Sequence, residues 1–361
     1  MTPALFTPLK IKSIELRNRI VVSPMCEYSS TDGFANNWHL VHLGARAIGG
    51  AGLIITEATA VSPEGRISFA DLGIYKDEHI EKLREITDFI HEHGAVAGIQ
   101  LAHAGRKASH MQPWNGGGQV PADQPNGWKT FAPSAIPFLP NEEPPVELDA
   151  AGIAQVKADF KTAAARALKA GFKLIELHGA HGYLIHQFLS PISNQRTDAY
   201  GGSFDNRVRL LLEIVDEIQE VWPADLPIFV RLSATEWTDG GWSIDDSVEL
   251  AKLLKEKGID LIDSSTGGNV AGAKIPVGPG YQVRFADQIT SDADIPTGAV
   301  GLITDAHQAN DIIEAGRADL VFIAREMLRD PHFPLRAAHE LGYDMKWPDQ
   351  YDRAQWRKAK S

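Results

Sequence analysis

Cysteine is almost absent from this sequence, and basic side chains are outnumbered. Cys26 is the only cysteine among 361 residues, which excludes an intrachain disulfide and any zinc or iron–sulfur site built from several thiolates. Lys and Arg total 35 against 47 Asp and Glu, so the formal net charge is −12. Because nucleic acids and anionic membranes are bound by clustered cations, this balance argues against both partners.

Long apolar runs and several catalytic motifs are also missing. No stretch approaches the roughly 20 apolar residues that span a bilayer, and residues 1–10 show no signal peptide. The sequence has no Walker A motif, no G-x-S-x-G turn, no H-E-x-x-H helix and no G-x-G-x-x-G turn after a strand. We therefore expect a cytoplasmic protein that has no membrane partner and no dinucleotide-binding fingerprint.

Short runs rich in Val, Ile and Leu alternate with amphipathic stretches along the chain, as in parallel strands covered on both faces. The predicted strands are Arg19–Met25, Gly52–Ala58, Val96–Ala102, Leu174–His178, Ile228–Ser233, Leu261–Ser265, Ile295–Gly301 and Leu320–Arg325. The predicted helices are Glu78–His93, Ile153–Lys169, Phe204–Val221, Ile244–Lys257, Asp305–Glu314 and His332–Leu341. This alternation predicts an α/β fold, a single (β/α)8 TIM barrel forming one domain over residues 1–361, in preference to an open doubly wound sheet.

One connection is much longer than the others. Residues 105–148 follow the third predicted strand and are rich in Gly, Pro and Trp. Loops of this length in compact domains are usually functional or disordered. The tryptophans favour a packed, lid-like loop over the substrate, with a plain surface excursion as the alternative.

Barrel enzymes carry their sites at the carboxyl ends of the strands. Cys26, just after the first predicted strand, is either an ordinary apolar side chain, a nucleophile or a weak donor to a redox cofactor. Gln100, in the third, suits the edge of a heterocycle or a bond to barrel backbone. Arg231, in the fifth, needs a partner because an unpaired buried charge is costly, and that partner is an anionic ligand or a structural carboxylate.

Polar residues are concentrated after the fourth predicted strand, at His178, His181 and Tyr183. The two histidines suit a metal pair, hydrogen-bonded packing, or two donors converging on one substrate oxygen. Tyr183 is either a core residue or a proton source, since a phenol stays protonated at neutral pH.

The last two predicted strands end in a pattern typical of a phosphate site. Gly301 allows backbone N–H groups to approach a phosphate closely, and Arg325 can bind one in two-pronged fashion. Phosphate sites of barrel enzymes commonly lie after strands seven and eight. A mononucleotide such as FMN fits this arrangement.

Seven stretches together make the chain resemble the Old Yellow Enzyme family of FMN-dependent ene-reductases. The similarity extends over nearly the whole chain and is greatest for the bacterial branch that has a Cys near the flavin and includes xenobiotic reductases. The stretches are Leu5–Leu9, Leu16–Ile20, Ser23–Cys26, Gly98–Lys107, His178–Tyr183, Asn194–Ser203 and Ala318–Phe322.

The resemblance implies hydride transfer from NADPH or NADH through FMN to activated C=C bonds of α,β-unsaturated carbonyl or nitro compounds, with ping-pong kinetics. It implies that His178 and His181 hold the substrate oxygen, that Tyr28 contacts the substrate, and that Tyr183 supplies a proton, without a metal. The residues it assigns to the flavin are Ser23, Pro24, Met25, Cys26, Ala60, Gln100 and Arg231, with Gly301, Ala324 and Arg325 at the phosphate.

The resemblance also implies a homo-oligomer, a dimer or tetramer. In it the C-terminal segment, residues 343–361, brings Arg353 into a neighbouring active site. Two other hypotheses stay open: an aldolase- or metal-hydrolase-type barrel without flavin, and a flavin-binding redox sensor with Cys26 as its switch.

Overall fold

The computed structural model describes residues 2–356, and its centre is a closed barrel of eight parallel strands. Neighbours in the barrel follow chain order, and the last strand pairs with the first, Val321 opposite Ile20. The strands are β1 Ile20–Val22, β2 Leu53–Ala60, β3 Val96–Ala102, β4 Leu174–Gly179, β5 Ile228–Ser233, β6 Leu261–Ser265, β7 Thr297–Ala299 and β8 Leu320–Ile323. The predicted α/β barrel is confirmed.

The barrel strands alternate with helices, as the repeating unit of this fold requires. The helices are α1 Asn37–Ile48, α2 His79–Glu92, α3 Ala150–Lys169, α4 Phe204–Gln219, α5 Ile244–Glu256, α6 Val283–Ala293, α7 Ala306–Glu314 and α8 Phe333–Glu340. Short helices, Leu184–Leu189 and Arg325–Arg329, follow β4 and β8, and a hairpin of Leu9–Ile11 with Ile14–Leu16 precedes β1. Within residues 2–356 no helix is long and apolar enough to cross a membrane.

Two helices, α1 and α6, were not predicted from the sequence. In α1 the pattern is blurred because Trp38 and Val41 are exposed while the polar His39 and Arg46 are buried. The other helix, α6, directly follows a stretch rich in Gly and Pro and therefore reads as part of a loop. Both helices are held in place by tertiary packing more than by local propensity.

Helix ends follow local chemistry that the sequence displays. Ser243 begins α5 with a capping box, in which its hydroxyl accepts from Asp246 N–H and the Asp246 carboxylate accepts from Ser243 N–H. Gly94, after α2, has a φ of 74° and ends the helix in the left-handed conformation that glycine adopts without strain. These caps fix where each chain segment turns back toward the barrel.

Three strands are shorter than predicted, and this changes where site residues lie. β8 ends at Ile323, so Ala324 and Arg325 lie beyond it. β1 ends at Val22, so Ser23 to Cys26 form an extended loop above the barrel. β7 covers only Thr297–Ala299, so Gly301 also lies on a loop. Loops at this end of the barrel carry the chemistry, and the strands below them position it.

The long connection, residues 105–148, contains little regular structure. Its two short strands, Phe131–Ala132 and Val146–Glu147, pair with each other, and Trp128 Nε1 donates to the Glu64 carbonyl at 2.9 Å. Near its tip, Trp114 is 66% exposed and contacts the Tyr28 ring edge to face, with centroids 5.7 Å apart. The connection thus touches a predicted substrate residue, and its role as a lid stays a prediction.

Candidate active site

His178, His181 and Tyr183 converge at the carboxyl end of β4. The chain turns sharply there because His181 and Gly182 both have left-handed φ values, 59° and 76°. The ring centroid of His178 lies 5.1 Å from that of His181 and 4.9 Å from that of Tyr183. Strain of this kind at a non-glycine residue is characteristic of functional sites.

Each of these imidazoles keeps one nitrogen without a protein partner. His178 Nδ1 accepts from the Ala180 N–H at 3.3 Å, and His181 Nε2 lies 2.7 Å from Ser265 Oγ. No residue in the range 2–356 hydrogen-bonds to His178 Nε2 or His181 Nδ1. Burial, with the nearby Arg231 charge, lowers the pKa of both histidines well below the usual value, so both are neutral at neutral pH.

Tyr183 lies beside the half-buried ammonium group of Lys107. Lys107 Nζ is 5.0 Å from the centre of the Tyr183 ring, and it donates to the carbonyls of His181 at 2.9 Å and Gly268 at 3.0 Å. Burial lowers the pKa of Lys107 to about 8 and raises that of Tyr183 well above its usual value. Because the Lys107 ammonium is hydrogen-bonded to the carbonyls of His181 and Gly268, it stabilises the turn at His181. An aldolase-type barrel would need a lysine amine that is free to form a Schiff base.

Under the histidines, a group of buried charges lies inside the barrel. Arg231 Nε is 2.9 Å from Asp263 Oδ2 on the neighbouring strand, and Gln100 Nε2 donates to Glu176 Oε1 at 2.7 Å. The terminal nitrogens of Arg231 form no hydrogen bond to any residue within 2–356. Arg231 is thus paired with a structural carboxylate, that of Asp263, at its Nε, and its two terminal nitrogens are available to bind a ligand.

Glu176 is buried beside Asp263, and burial followed by the charge of Asp263 raises its pKa to about 8. Its pKa in the unfolded chain is near 4.5, so folding takes up a proton between these values. Proton uptake by Glu176 therefore favours the folded state in this range. This contribution to the free energy of unfolding is fully present below about pH 4.5 and is lost as the pH rises toward 8. We expect the melting temperature to fall over this range, and Glu176→Gln to reduce the slope because the amide does not titrate.

Thermal unfolding of wild type and Glu176→Gln from pH 5 to 8 checks this prediction. Glu249→Gln, at an exposed position of α5, is the matched control and should keep the wild-type slope, since the described structure gives Glu249 a surface pair with Lys252. If the melting temperatures of wild type and Glu176→Gln change with pH in the same way, Glu176 is ionised in the folded protein over the whole range from pH 5 to 8. Burial also raises the pKa of Asp263, to about 6, which leaves part of the slope in the variant.

Cys26 and Tyr28 are close neighbours on the loop after β1, and each side chain affects the pKa of the other. Burial raises the pKa of the Cys26 thiol well above its usual value, with the charges of Asp71 and Glu57 contributing. A redox-sensing cysteine is normally a thiolate in an electropositive site. The surroundings of Cys26 are the opposite, which disfavours the redox-sensor hypothesis.

A cavity opens where β7 and β8 end. Gly301, Ala324 and Arg325 line it together with Tyr281 and Gln282. Gly301 has a φ of 116°, and a Cβ added there would lie 3.1 Å from Gln282 Nε2. The next residue, Leu302, also has a left-handed φ, of 51°, so the backbone turns at the mouth of this cavity.

The chain matches the NADH:flavin oxidoreductase / NADH oxidase family over residues 4–344. It belongs to this family. A curated NADPH dehydrogenase from Bacillus subtilis (strain 168) is 52% identical over 355 residues, 98% of this chain and 99% of that protein. This flavin oxidoreductase therefore uses FMN, and the resemblance to the Old Yellow Enzyme family is confirmed.

Solved structures agree with this assignment. Morphinone reductase is 28% identical with a TM-score of 0.78, covering 99% of this chain and 94% of its own. A 2-naphthoyl-CoA reductase complex is 26% identical with a TM-score of 0.85 over 95% of this chain, which spans only 53% of that protein.

The residues of this flavin oxidoreductase fit FMN. Among residues 2–356, Ser23 Oγ is buried without a hydrogen-bond partner and Arg231 has unused donors, so both can serve a polar ring or ribityl chain. Pro24 and Met25, which follow Ser23, are half-buried, and Ala60 ends β2 without a bulky side chain. At the other end the space left by Gly301 and the exposed Arg325 would hold the phosphate.

Some residues of the site were missed by reasoning from sequence. Glu176, Asp263 and Ser265 contact the predicted residues across the barrel strands, and Gln282 lies beside Gly301 and accepts from Ser265. The sequence contains one feature that could have indicated Asp263 and Ser265, because both are polar residues near the carboxyl end of a predicted strand. No third metal-binding side chain joins His178 and His181 within the described range.

Arg353 lies in the exposed turn Asp349–Ala354. Around it, Tyr351 contacts His332, and Trp356 stacks on His339 of α8 with centroids 4.8 Å apart. None of these contacts is with the active site of its own chain. The predicted segment extends to residue 361, and residues 357–361 lie outside the described residues.

Proposed function

We propose that this enzyme reduces activated C=C bonds of α,β-unsaturated carbonyl or nitro compounds, using NADPH as the hydride donor. The observation that carries the proposal is the pair of neutral imidazoles whose unpartnered nitrogens open at the same strand end, beside Tyr183. The name of the Bacillus subtilis relative supports NADPH in preference to NADH.

Bound FMN would supply the hydride-transfer chemistry, with Arg231 at its ring and Gly301, Ala324 and Arg325 at its phosphate. His178 and His181 donate hydrogen bonds to the carbonyl or nitro oxygen of the acceptor. As hydride arrives at the β-carbon, negative charge grows on that oxygen, and two preorganised donors stabilise it. The low pKa of both imidazoles keeps them neutral, so they polarise the oxygen without transferring a proton.

Tyr183 delivers the proton that completes the reduction, from its phenol to the α-carbon. Its pKa is raised by burial, so the phenol is fully protonated at neutral pH. The Lys107 ammonium over the ring stabilises the phenolate as it forms. Tyr28, whose ring contacts Trp114 of the long connection, would contact the substrate from the loop after β1.

Because donor and acceptor use one pocket, they bind in turn, and we expect ping-pong kinetics. Anaerobic titration with NADPH should bleach the yellow protein, and a panel of enones, nitroalkenes and maleimides should restore its colour. Intersecting lines in double-reciprocal plots would contradict a shared pocket. A protein that NADPH bleaches but no acceptor re-oxidises would favour the redox-sensor hypothesis.

We expect Tyr183→Phe to slow re-oxidation of the reduced flavin by an enone about 10²-fold, the lower end of the range for a positioned general acid. Flavin reduction by NADPH should stay at the wild-type rate, because that step requires no proton on carbon. Stopped-flow measurement of both half-reactions checks this. Tyr75→Phe is the control, because it removes a tyrosine hydroxyl whose hydrogen bond, to Asp32, lies at the protein surface. Equal slowing of both steps would place Tyr183 in a structural role.

We also propose that the enzyme is a homo-oligomer in which Arg353 reaches a neighbouring active site. The exposure of Arg353 and its lack of contact with its own site support this. Arg353→Ala should lower enone turnover, and co-expressed hybrids of Arg353→Ala with His178→Ala/His181→Ala should recover activity, because one site is then complete. Hybrids no more active than Arg353→Ala alone would contradict action between subunits.

A further inference from the structure

The orientation of the His181 ring depends on a residue outside the predicted site. Ser265, the last residue of β6, places its Oγ 2.7 Å from His181 Nε2. A neutral imidazole carries one proton, so this contact has two forms. Either the Ser265 hydroxyl donates to Nε2 and Nδ1 carries the proton, or Nε2 donates to Ser265 and Nδ1 is a bare acceptor.

The surroundings of Ser265 decide between the two forms. Its only other acceptor within the described residues is Gln282 Oε1, at 3.5 Å. That oxygen already accepts the hydroxyl of Thr266 at 2.5 Å. The Ser265 proton is therefore directed to the imidazole nitrogen, which is much the nearer of its two acceptors, since 3.5 Å is at the limit of a hydrogen bond.

We propose that Ser265 is a positioning residue that holds His181 in the Nδ1–H tautomer, so that the nitrogen open to the pocket is a donor. His178 is held in the opposite tautomer, since the Ala180 N–H occupies its Nδ1 and leaves Nε2–H free. The two imidazoles are thus set by different neighbours, and each presents an N–H. The inference rests on the proposed function, in which both rings donate to one substrate oxygen.

The tautomer decides whether His181 attracts or repels the substrate oxygen. With the Nε2–H tautomer, His181 would direct a lone pair at the oxygen on which negative charge grows. Such a contact is repulsive, and it would offset the donor at His178. Ser265→Ala should therefore slow enone re-oxidation roughly tenfold, less than deleting a donor outright.

The tautomer can be read without turnover. Histidine-specific ¹⁵N labelling of the FMN-loaded protein distinguishes protonated from bare ring nitrogens by chemical shift, and His181→Gln assigns the signal. We expect protonated Nδ1 and bare Nε2 in the wild type, and a shift of the proton toward Nε2 in Ser265→Ala. Ser265→Thr keeps the hydroxyl and should restore the wild-type pattern.

Ser264→Ala is the matched control, because Ser264 is the adjacent buried serine and its hydroxyl has no hydrogen-bond partner. Protonated Nε2 in the wild type, or a Ser265→Ala spectrum identical to wild type, would overturn the role of Ser265. If the tautomer changes as expected but enone re-oxidation does not, the tautomer assignment holds and the proposed oxygen-binding function fails.

Discussion

Replacing both His178 and His181 by Ala slows re-oxidation of the reduced flavin by an enone by about 10²–10³ or more, because the growing oxyanion loses both donors. The effect is large because both imidazoles are neutral, with His178 buried and His181 half-buried, and both are held in place before the substrate binds. Donors of this kind need no reorganisation during the reaction, which is what makes them more effective than water.

Stopped-flow mixing of the NADPH-reduced variant with cyclohexenone measures this step directly. The FMN content should remain that of the wild type, which separates lost chemistry from lost cofactor. His307→Ala removes an exposed histidine from α7, away from the C-terminal segment, and should change nothing. If the double variant at His178 and His181 re-oxidises at the wild-type rate, the substrate oxygen is held elsewhere.

Arg231→Met should weaken FMN binding and also destabilise the barrel. Removing the guanidinium leaves the Asp263 carboxylate buried without its 2.9 Å partner. Breaking a buried pair in this way costs about 3–5 kcal/mol, because the remaining charge is uncompensated. We therefore expect a colourless protein with a clearly lower melting temperature.

The double variant Arg231→Met/Asp263→Asn separates the two effects. It removes both charges, so most of the lost stability should return. FMN affinity should stay low, because the donors proposed to serve the flavin ring are still missing. Differential scanning fluorimetry and FMN titration of the apoproteins measure both quantities. Wild-type FMN affinity in the double variant would remove Arg231 from the flavin site.

Much of the barrel could be predicted because its strands are apolar on both faces and its helices carry regular stripes. β3 and β5 were predicted with their observed bounds, Val96–Ala102 and Ile228–Ser233. The ends of β1 and β7 could not, because whether Ser23 or Gly301 continues a strand is decided by pairing with neighbours and not by local sequence.

The site was predictable where one stretch of chain carries it, as in His178 to Tyr183. It was not predictable where the chemistry lies between strands. Gln100 bonds to Glu176, 76 positions along the chain, because the two are opposite each other in the register of β3 and β4. Ser265 acts on His181 across 84 positions for the same kind of reason.

A crystal structure of the FMN-loaded enzyme with an enone or another carbonyl ligand is the most direct measurement. We expect the ligand oxygen within about 3 Å of both His178 Nε2 and His181 Nδ1, with its double bond over the flavin ring and the Tyr183 hydroxyl nearby. Imidazoles turned away from the ligand, or joined by a coordinated ion, would contradict the proposed catalysis.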